Sequence, residues 1–282
     1  MTPTYSDIAL ILLVSCAATT AHAQLQSATP QDPAVASEII LPSVASASQN
    51  KSMELTVGGE ELSAGYGNWT NETLLGSYQI DEHVLQMELS SKEEFRVVGT
   101  FVGIADTIVL DPDWFTRISV GAGDGAFYLP KIRGDIFLSR KWMENRNFIT
   151  TVGLGEYDAP DGHIDRNLNF GGTYYFEQPW IVEAGFRLNR SNPNAISTHQ
   201  QFVAVTYGSE KKDIVTARYG WGGEGYLTIA DNVSLVDFES HESSLAWRHW
   251  LSPKLGLVSK IDYYVNPYYQ RKGANIGLFY QF

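Results

Sequence analysis

Few residues in this chain are placed to do covalent chemistry. Ser240-His241-Glu242-Ser243 sets a base beside two hydroxyls, and His241 activating Ser240 or Ser243 would give a hydrolytic nucleophile. Adjacent residues of a strand point to opposite faces, so Ser240 and His241 cannot readily meet. Ser243 shares a face with His241, but Leu245 and Trp247 mark that face as apolar. The six His show no metal-ligand spacing, and the single Cys excludes a disulfide scaffold or a multi-Cys zinc site. No Gly-rich phosphate loop follows a strand and opens a helix. The sequence therefore predicts no catalytic, cofactor or metal site, and no enzyme.

What remains is charge carried on one face of alternating segments. Arg133 and Asp135, Glu183 and Arg187, Arg218, Arg248, and Lys260 and Asp262 each fall opposite an apolar face. Charges so placed in a barrel line its lumen. They act either as a constriction that selects solutes or as a salt-bridged plug that holds strand register, and the plug is preferred for a narrow barrel. Arg140 falls on the apolar side, near a strand end from which its head can snorkel to water.

The elements that must position these residues are strands. Apolar residues recur with period 2 in segments of about ten residues. Ala274, Ile276, Leu278, Tyr280 and Phe282 oppose Asn275, Gly277 and Gln281, and Val182, Ala184, Phe186 and Leu188 oppose Glu183, Gly185, Arg187 and Asn189. The candidate strands run near 61–69, 72–79, 84–90, 97–104, 114–121, 131–141, 148–157, 165–176, 181–189, 198–207, 214–221, 239–250, 254–264 and 269–282. That makes about 14, with 12 as the alternative. Short links at 80–82, 143–146, 177–179, 210–212 and 252–253 alternate with longer ones at 122–129, 159–163, 190–197 and 222–237. The links 105–113, 70–71 and 265–268 break the pattern. Alternating short and long links belong to an all-β transmembrane antiparallel barrel rather than to a soluble sandwich. Trp69, Trp142, Trp180, Trp221 and Trp250 fall at strand ends, where interfacial girdles sit.

Composition agrees. Charged residues make up 18% and aromatic residues 12%, which excludes a disordered chain, and a net charge of −12 disfavours nucleic acid. Residues 1–23 carry an apolar run too short to span a bilayer, ending Ala21-His22-Ala23, and read as a signal peptide. Cleavage after Ala23 and lipidation at Cys16, within Leu13-Val14-Ser15-Cys16, both remain open. Residues 24–52 are rich in Ser, Ala, Gln and Pro and read as a flexible periplasmic segment. Residues 53–282 read as the barrel.

The last residues, Asn275-x-Gly277-x-x-Tyr280-x-Phe282, resemble the terminal signal that bacterial barrel-assembly machinery reads by strand pairing. Leu62-Ser63-Ala64-Gly65-Tyr66, Tyr128-Leu129-Pro130, Asp135-Ile136-Phe137 and the C-terminal strand pair resemble the YaiO-type outer-membrane barrel family. The resemblance implies an integral outer-membrane barrel in contact with outer-membrane lipid, and no established activity. Related barrels occur in exopolysaccharide export, although no peptide-repeat domain precedes the barrel in this chain. The expected function is a narrow channel or export component passing exopolysaccharide or a small solute, with the N-terminus periplasmic. The alternatives are a closed structural or surface-binding barrel and a soluble carbohydrate-binding sandwich.

Overall fold

A computed structural model describes residues 51–230 and 233–282. The signal peptide and most of the segment that follows it fall outside the described residues. Fourteen strands follow in chain order: β1 (Lys51–Leu62), β2 (Gly67–Ile80), β3 (His83–Glu94), β4 (Val97–Val109), β5 (Trp114–Gly123), β6 (Ile132–Trp142) and β7 (Phe148–Asp158). Then come β8 (Ile164–Tyr175), β9 (Trp180–Asn192), β10 (Ile196–Gly208), β11 (Asp213–Ala230), β12 (Val233–Trp250), β13 (Leu255–Val265) and β14 (Gln270–Gln281). Each pairs antiparallel with its sequence neighbours, and β1 pairs with β14 from Ser52↔Gln281 to Leu62↔Arg271, which closes the barrel. Closure removes the free edges that a lipid environment would leave unsatisfied. No helix among the described residues is long and apolar enough to cross a membrane.

The period-2 sequence pattern becomes two surfaces. On β1, Met53, Leu55 and Val57 face outward and are exposed at 45%, 55% and 47%, while Glu54 and Thr56 face inward and are buried. The register carries this alternation around the wall. Outward residues such as Leu85, Met87, Ile104, Ile118, Val152, Val203, Ile261 and Ile276 form an exposed apolar belt. A soluble sandwich would bury such a belt, and a membrane barrel turns it to lipid. Arg140 faces outward near a strand end, its guanidinium 3.8 Å from the Trp142 ring and 5.2 Å from Trp114.

Three expectations are corrected. The strand expected at 61–69 is broken by a turn at 63–66 between the end of β1 and the start of β2, with Ala64, Gly65 and the first residue of β2, Gly67, at positive φ. The first strand lies earlier and begins at Lys51, just inside the segment read as flexible. The expected long link 222–237 is instead mostly strand: β11 and β12 each run 18 residues and together project beyond the belt. Trp69 and Trp250 are 3% and 7% exposed and point inward, so they belong to the interior and not to a girdle. Trp142, Trp180 and Trp247 do face outward.

Both described termini lie at one end of the barrel, where the Phe282 amide donates to the Lys51 carbonyl. This is called the terminal end, and the opposite one the hairpin end. The terminal end is filled by Phe115, Ile149, Tyr175 and Ile181 on one side, and by Ile214, Trp250, Val258 and Phe279 on the other.

Candidate functional site

The lumen is the candidate site, because inward polar residues lie between apolar layers at its two ends. All eight charged candidates fall on the inward face by register. Arg133 Nε donates to Asp135 Oδ2 at 3.0 Å. Arg248, only 2% exposed, donates to Glu54 Oε2 at 2.7 Å and lies 3.7 Å over the Phe279 ring. Arg218 lies 3.8 Å over the Phe202 ring and acts electrostatically on Glu183, which also bonds to Thr173. Lys260 and Asp262 both act on Glu60 rather than forming an isolated pair.

Glu183 and Arg187 share a strand face, but the cation that acts on Glu183 is Arg218. Four residues of strand span roughly 13 Å, so the acid finds its cation two strands away. Sequence reading also missed Glu54, Glu60, Lys92, Glu94, Glu224 and Arg271, all buried and inward. Arg271 Nε sits 3.3 Å from Glu60 Oε2, with its guanidinium 5.0 Å from the Tyr264 ring. Carrying the inward parity along β1, β3 and β11 would have found the acids and Lys92. Phe137, Phe202 and Phe279 pair directly with Gly153, Gly185 and Gly256. In each pair the ring occupies the place a Cβ would need.

The hairpin end is capped in two parts. In the first, the β5–β6 link folds inward and buries Ala126, Phe127, Tyr128 and Leu129. The Tyr128 hydroxyl donates to the Lys92 carbonyl at 2.7 Å, with the Val97 carbonyl as a second acceptor 3.0 Å away. Burial, with Glu94 and Asp124 nearby, pushes its pKa above the usual phenol value, so it stays a donor. Phe95 joins this link to a second cluster, with ring centroids 5.8 Å from Phe127 and 4.9 Å from Trp69. That cluster contains Leu62, Trp69, Leu227, Phe238, Tyr264 and Tyr269.

The second part is a latch across three hairpins. The His163 ring stacks between Tyr157 and Tyr226, with centroids at 5.9 and 5.2 Å. Its Nδ1 lies 2.6 Å from Asp161 Oδ1. Asp161 Oδ2 accepts from Thr228 and Ser234 at 3.2 Å each, tying the β7–β8 link to the β11–β12 hairpin. The Tyr226 hydroxyl donates to the Pro193 carbonyl at 2.9 Å, which adds the β9–β10 turn. Burial alone would raise the Asp161 pKa, but hydrogen bonds from His163 and Thr228 hold it below the usual carboxylate value.

The other sequence-derived residues sit as follows. Asn275 and Gly277 face inward, the Asn275 side chain lying over Gly58 and Gly277 lying against the Leu55 backbone. Tyr280 and Phe282 face outward, with ring centroids 4.9 Å apart. Ser240 and Glu242 are buried inward, whereas His241 is exposed outward and bonds to the Tyr219 hydroxyl at 2.8 Å. His241 and Ser240 are thus separated by the wall, while Ser243 shares the outward face of His241.

The sequence profile of the YaiO membrane beta barrel domain matches residues 50–227. No match is found among curated proteins. Among solved structures, a bacterial polysaccharide outer membrane secretin is similar at 8% identity and a TM-score of 0.55, covering 82% of this chain and 98% of that one. The CymD monoaromatic hydrocarbon channel is similar at 8% identity and a TM-score of 0.55, covering 83% of this chain and 87% of that one. At such identity the likeness is one of fold. Profile and closed barrel agree: the chain belongs to the YaiO membrane β-barrel family and is a bacterial outer-membrane β-barrel.

Proposed function

We propose that this barrel is a narrow passage for polar cargo, closed at rest, in which the hairpin-end cap is the part that moves. The observation that carries the reading is the layering: a charged, hydroxyl- and amide-bearing interior lies between apolar caps. A barrel that needed only to be stable would be better served by an apolar filling, because buried ions are costly even when paired. The polar walls favour a small polar solute or a polysaccharide over a hydrocarbon. Of the two similar structures, the one named for polysaccharide is therefore the closer functional guide. The termini face the periplasm, and the assembly machinery reads the strand carrying Asn275, Gly277, Tyr280 and Phe282. Catalysis has no part in the reading, since Ser240 lies across the wall from His241, and Ser243, which shares the His241 face, lies on the outward apolar side with Leu245 and Trp247.

The second reading, a closed structural barrel, is favoured by the fully buried Glu54–Arg248 pair. Planar-bilayer recording separates the two. The passage reading expects brief openings in the wild type and a higher open probability in Tyr128→Phe, which frees the β5–β6 link. It also expects Arg187→Ala to shift selectivity toward cations. Silence in all three proteins supports the structural barrel.

A further inference from the structure

We infer that Arg140, held on the outer wall between Trp114 and Trp142, binds the phosphate of a glycerophospholipid headgroup in the leaflet at the terminal end. The site lies outside the lumen and does not depend on the passage reading. It begins with a cation in an unusual place. Along β6 the outward residues are Ile132, Gly134, Ile136, Leu138, Arg140 and Trp142, so one charge interrupts an otherwise apolar row two residues from the end of the strand. Two residues of strand span roughly 7 Å. The Arg140 backbone therefore sits just inside the Trp142 girdle, at the border between hydrocarbon and headgroups.

The second observation is how the head is held. The guanidinium lies 3.8 Å over the Trp142 ring and 5.2 Å from the Trp114 ring, and Trp114 pairs with Arg140 directly across β5 and β6. Trp142 is itself fixed, because its Nε1 donates to Thr150 Oγ1 at 2.8 Å. A head that only snorkelled would extend past the girdle into water. This one is tucked against it, with Nε buried and without a hydrogen-bond partner. Stacking satisfies the faces of the guanidinium and not its N–H edges, which lie in the plane of the group.

The protein supplies no anion for those edges. Among the described residues no carboxylate forms an ion pair with Arg140. The acids of the β4–β5 link, beside the end of β6, are engaged elsewhere. Asp113 Oδ1 accepts from Arg146 Nε at 2.7 Å, and Asp111 Oδ1 accepts from the Asp113 and Trp114 amides at 2.8 Å each. An uncompensated cation at a lipid boundary is costly. A phosphate answers it, because the planar fork of Arg matches two phosphate oxygens in parallel hydrogen bonds. The neighbours select a lipid over a free ion. Leu138 pairs with Val152 one outward step deeper, and both are exposed on the apolar belt with Ile118 and Ile136. Acyl chains can lie along that wall while the headgroup phosphate reaches Arg140.

The test uses the full-length protein in a neutral detergent, titrated with dioleoylphosphatidylglycerol or dioleoylglycerol and read by native mass spectrometry. The wild type should hold phosphatidylglycerol about 10-fold more tightly than dioleoylglycerol, which lacks the phosphate. Arg140→Gln should lose that preference. Arg140→Lys keeps the charge but not the fork, and should weaken phosphatidylglycerol by about 3-fold. Arg166→Gln, at the hairpin end where Arg166 Nε already donates to Glu156 Oε2 at 2.7 Å, should leave both affinities unchanged. Equal binding of the two lipids by the wild type, a preference retained in Arg140→Gln, or an equal loss in Arg166→Gln overturns the site. Release of the lipid by an equal concentration of inorganic phosphate overturns the lipid as its occupant. Should Arg140→Gln fail to fold, Arg140→Lys decides, and wild-type affinity in that variant overturns the site.

Discussion

Removing the carboxylate from the Glu54–Arg248 pair should destabilise the barrel far more than removing the whole pair. Both side chains are at most 2% exposed, and the contact is 2.7 Å. With charge centres about 4 Å apart and an effective dielectric constant of about 20, the attraction is about 4 kcal/mol. Glu54→Leu leaves the Arg248 cation buried without its counter-charge, at a cost of about 3–5 kcal/mol. The Phe279 ring 3.7 Å away returns at most about 2 kcal/mol of that through cation–π attraction. In Glu54→Leu/Arg248→Met the new side chains join Ile214, Trp250, Val258 and Phe279, and the double variant should lie within about 1 kcal/mol of wild type or above it. Guanidinium unfolding in micelles, followed by tryptophan fluorescence, gives the cycle. A coupling below about 1 kcal/mol, with single and double variants equally destabilised, would refute the reasoning.

Three further outcomes are expected. Phe282→Asp puts a charge beside the Tyr280 ring at the barrel seam and should lower the outer-membrane level of the protein; wild-type amounts in fractionated membranes would contradict this. Gly256→Ala should cost about 1–3 kcal/mol, because a Cβ there meets the Phe279 ring and the His249 carbonyl, whereas Gly76→Ala, with only the Met87 methyl 4.0 Å away, should be nearly neutral in the same unfolding assay. The folded-state pKa of Asp161 is depressed, so its contribution to the latch is fully present above the unfolded value of about 3.9 and is lost as pH falls through the lower folded value. Hydrogen exchange of the β11–β12 hairpin, corrected for intrinsic rates, should therefore stay flat from pH 7 to about 4.5; a rise within that range would contradict the assignment to Asp161.

The alternation on β6, β9, β13 and β14 was plain in the sequence because one face is apolar for four or five positions. It placed Arg133, Glu183, Lys260 and Asn275 on the inward side without any structure. β1 escaped because its inward residues include Glu54, Thr56 and Gly58, its start follows a Ser-rich run, and its last residue Leu62 and the Tyr66 of the turn after it read as one strand. The β11–β12 hairpin escaped because Gly222, Gly223 and Gly225 read as loop, although there they let neighbouring backbone and side chains approach closely. Pairing was the hardest to read. Strand spacing says which residues share a face, but Glu54 meets Arg248 only after β13 and β14 bring their strands to the same side of the lumen.

The β1–β14 seam also sets the order of events in the life of the molecule. Every other ladder joins strands adjacent in sequence, but Ser52 must wait for Gln281. Thirteen of the fourteen ladders can zip progressively, while the last is a single long-range step with the largest loop-closure cost. Any chain that stops short of β14 keeps two unpaired edges however well the rest is built. The seam therefore works as a length check: the barrel becomes an edgeless object only when the final strand has arrived, and an incomplete copy stays recognisable to proteases.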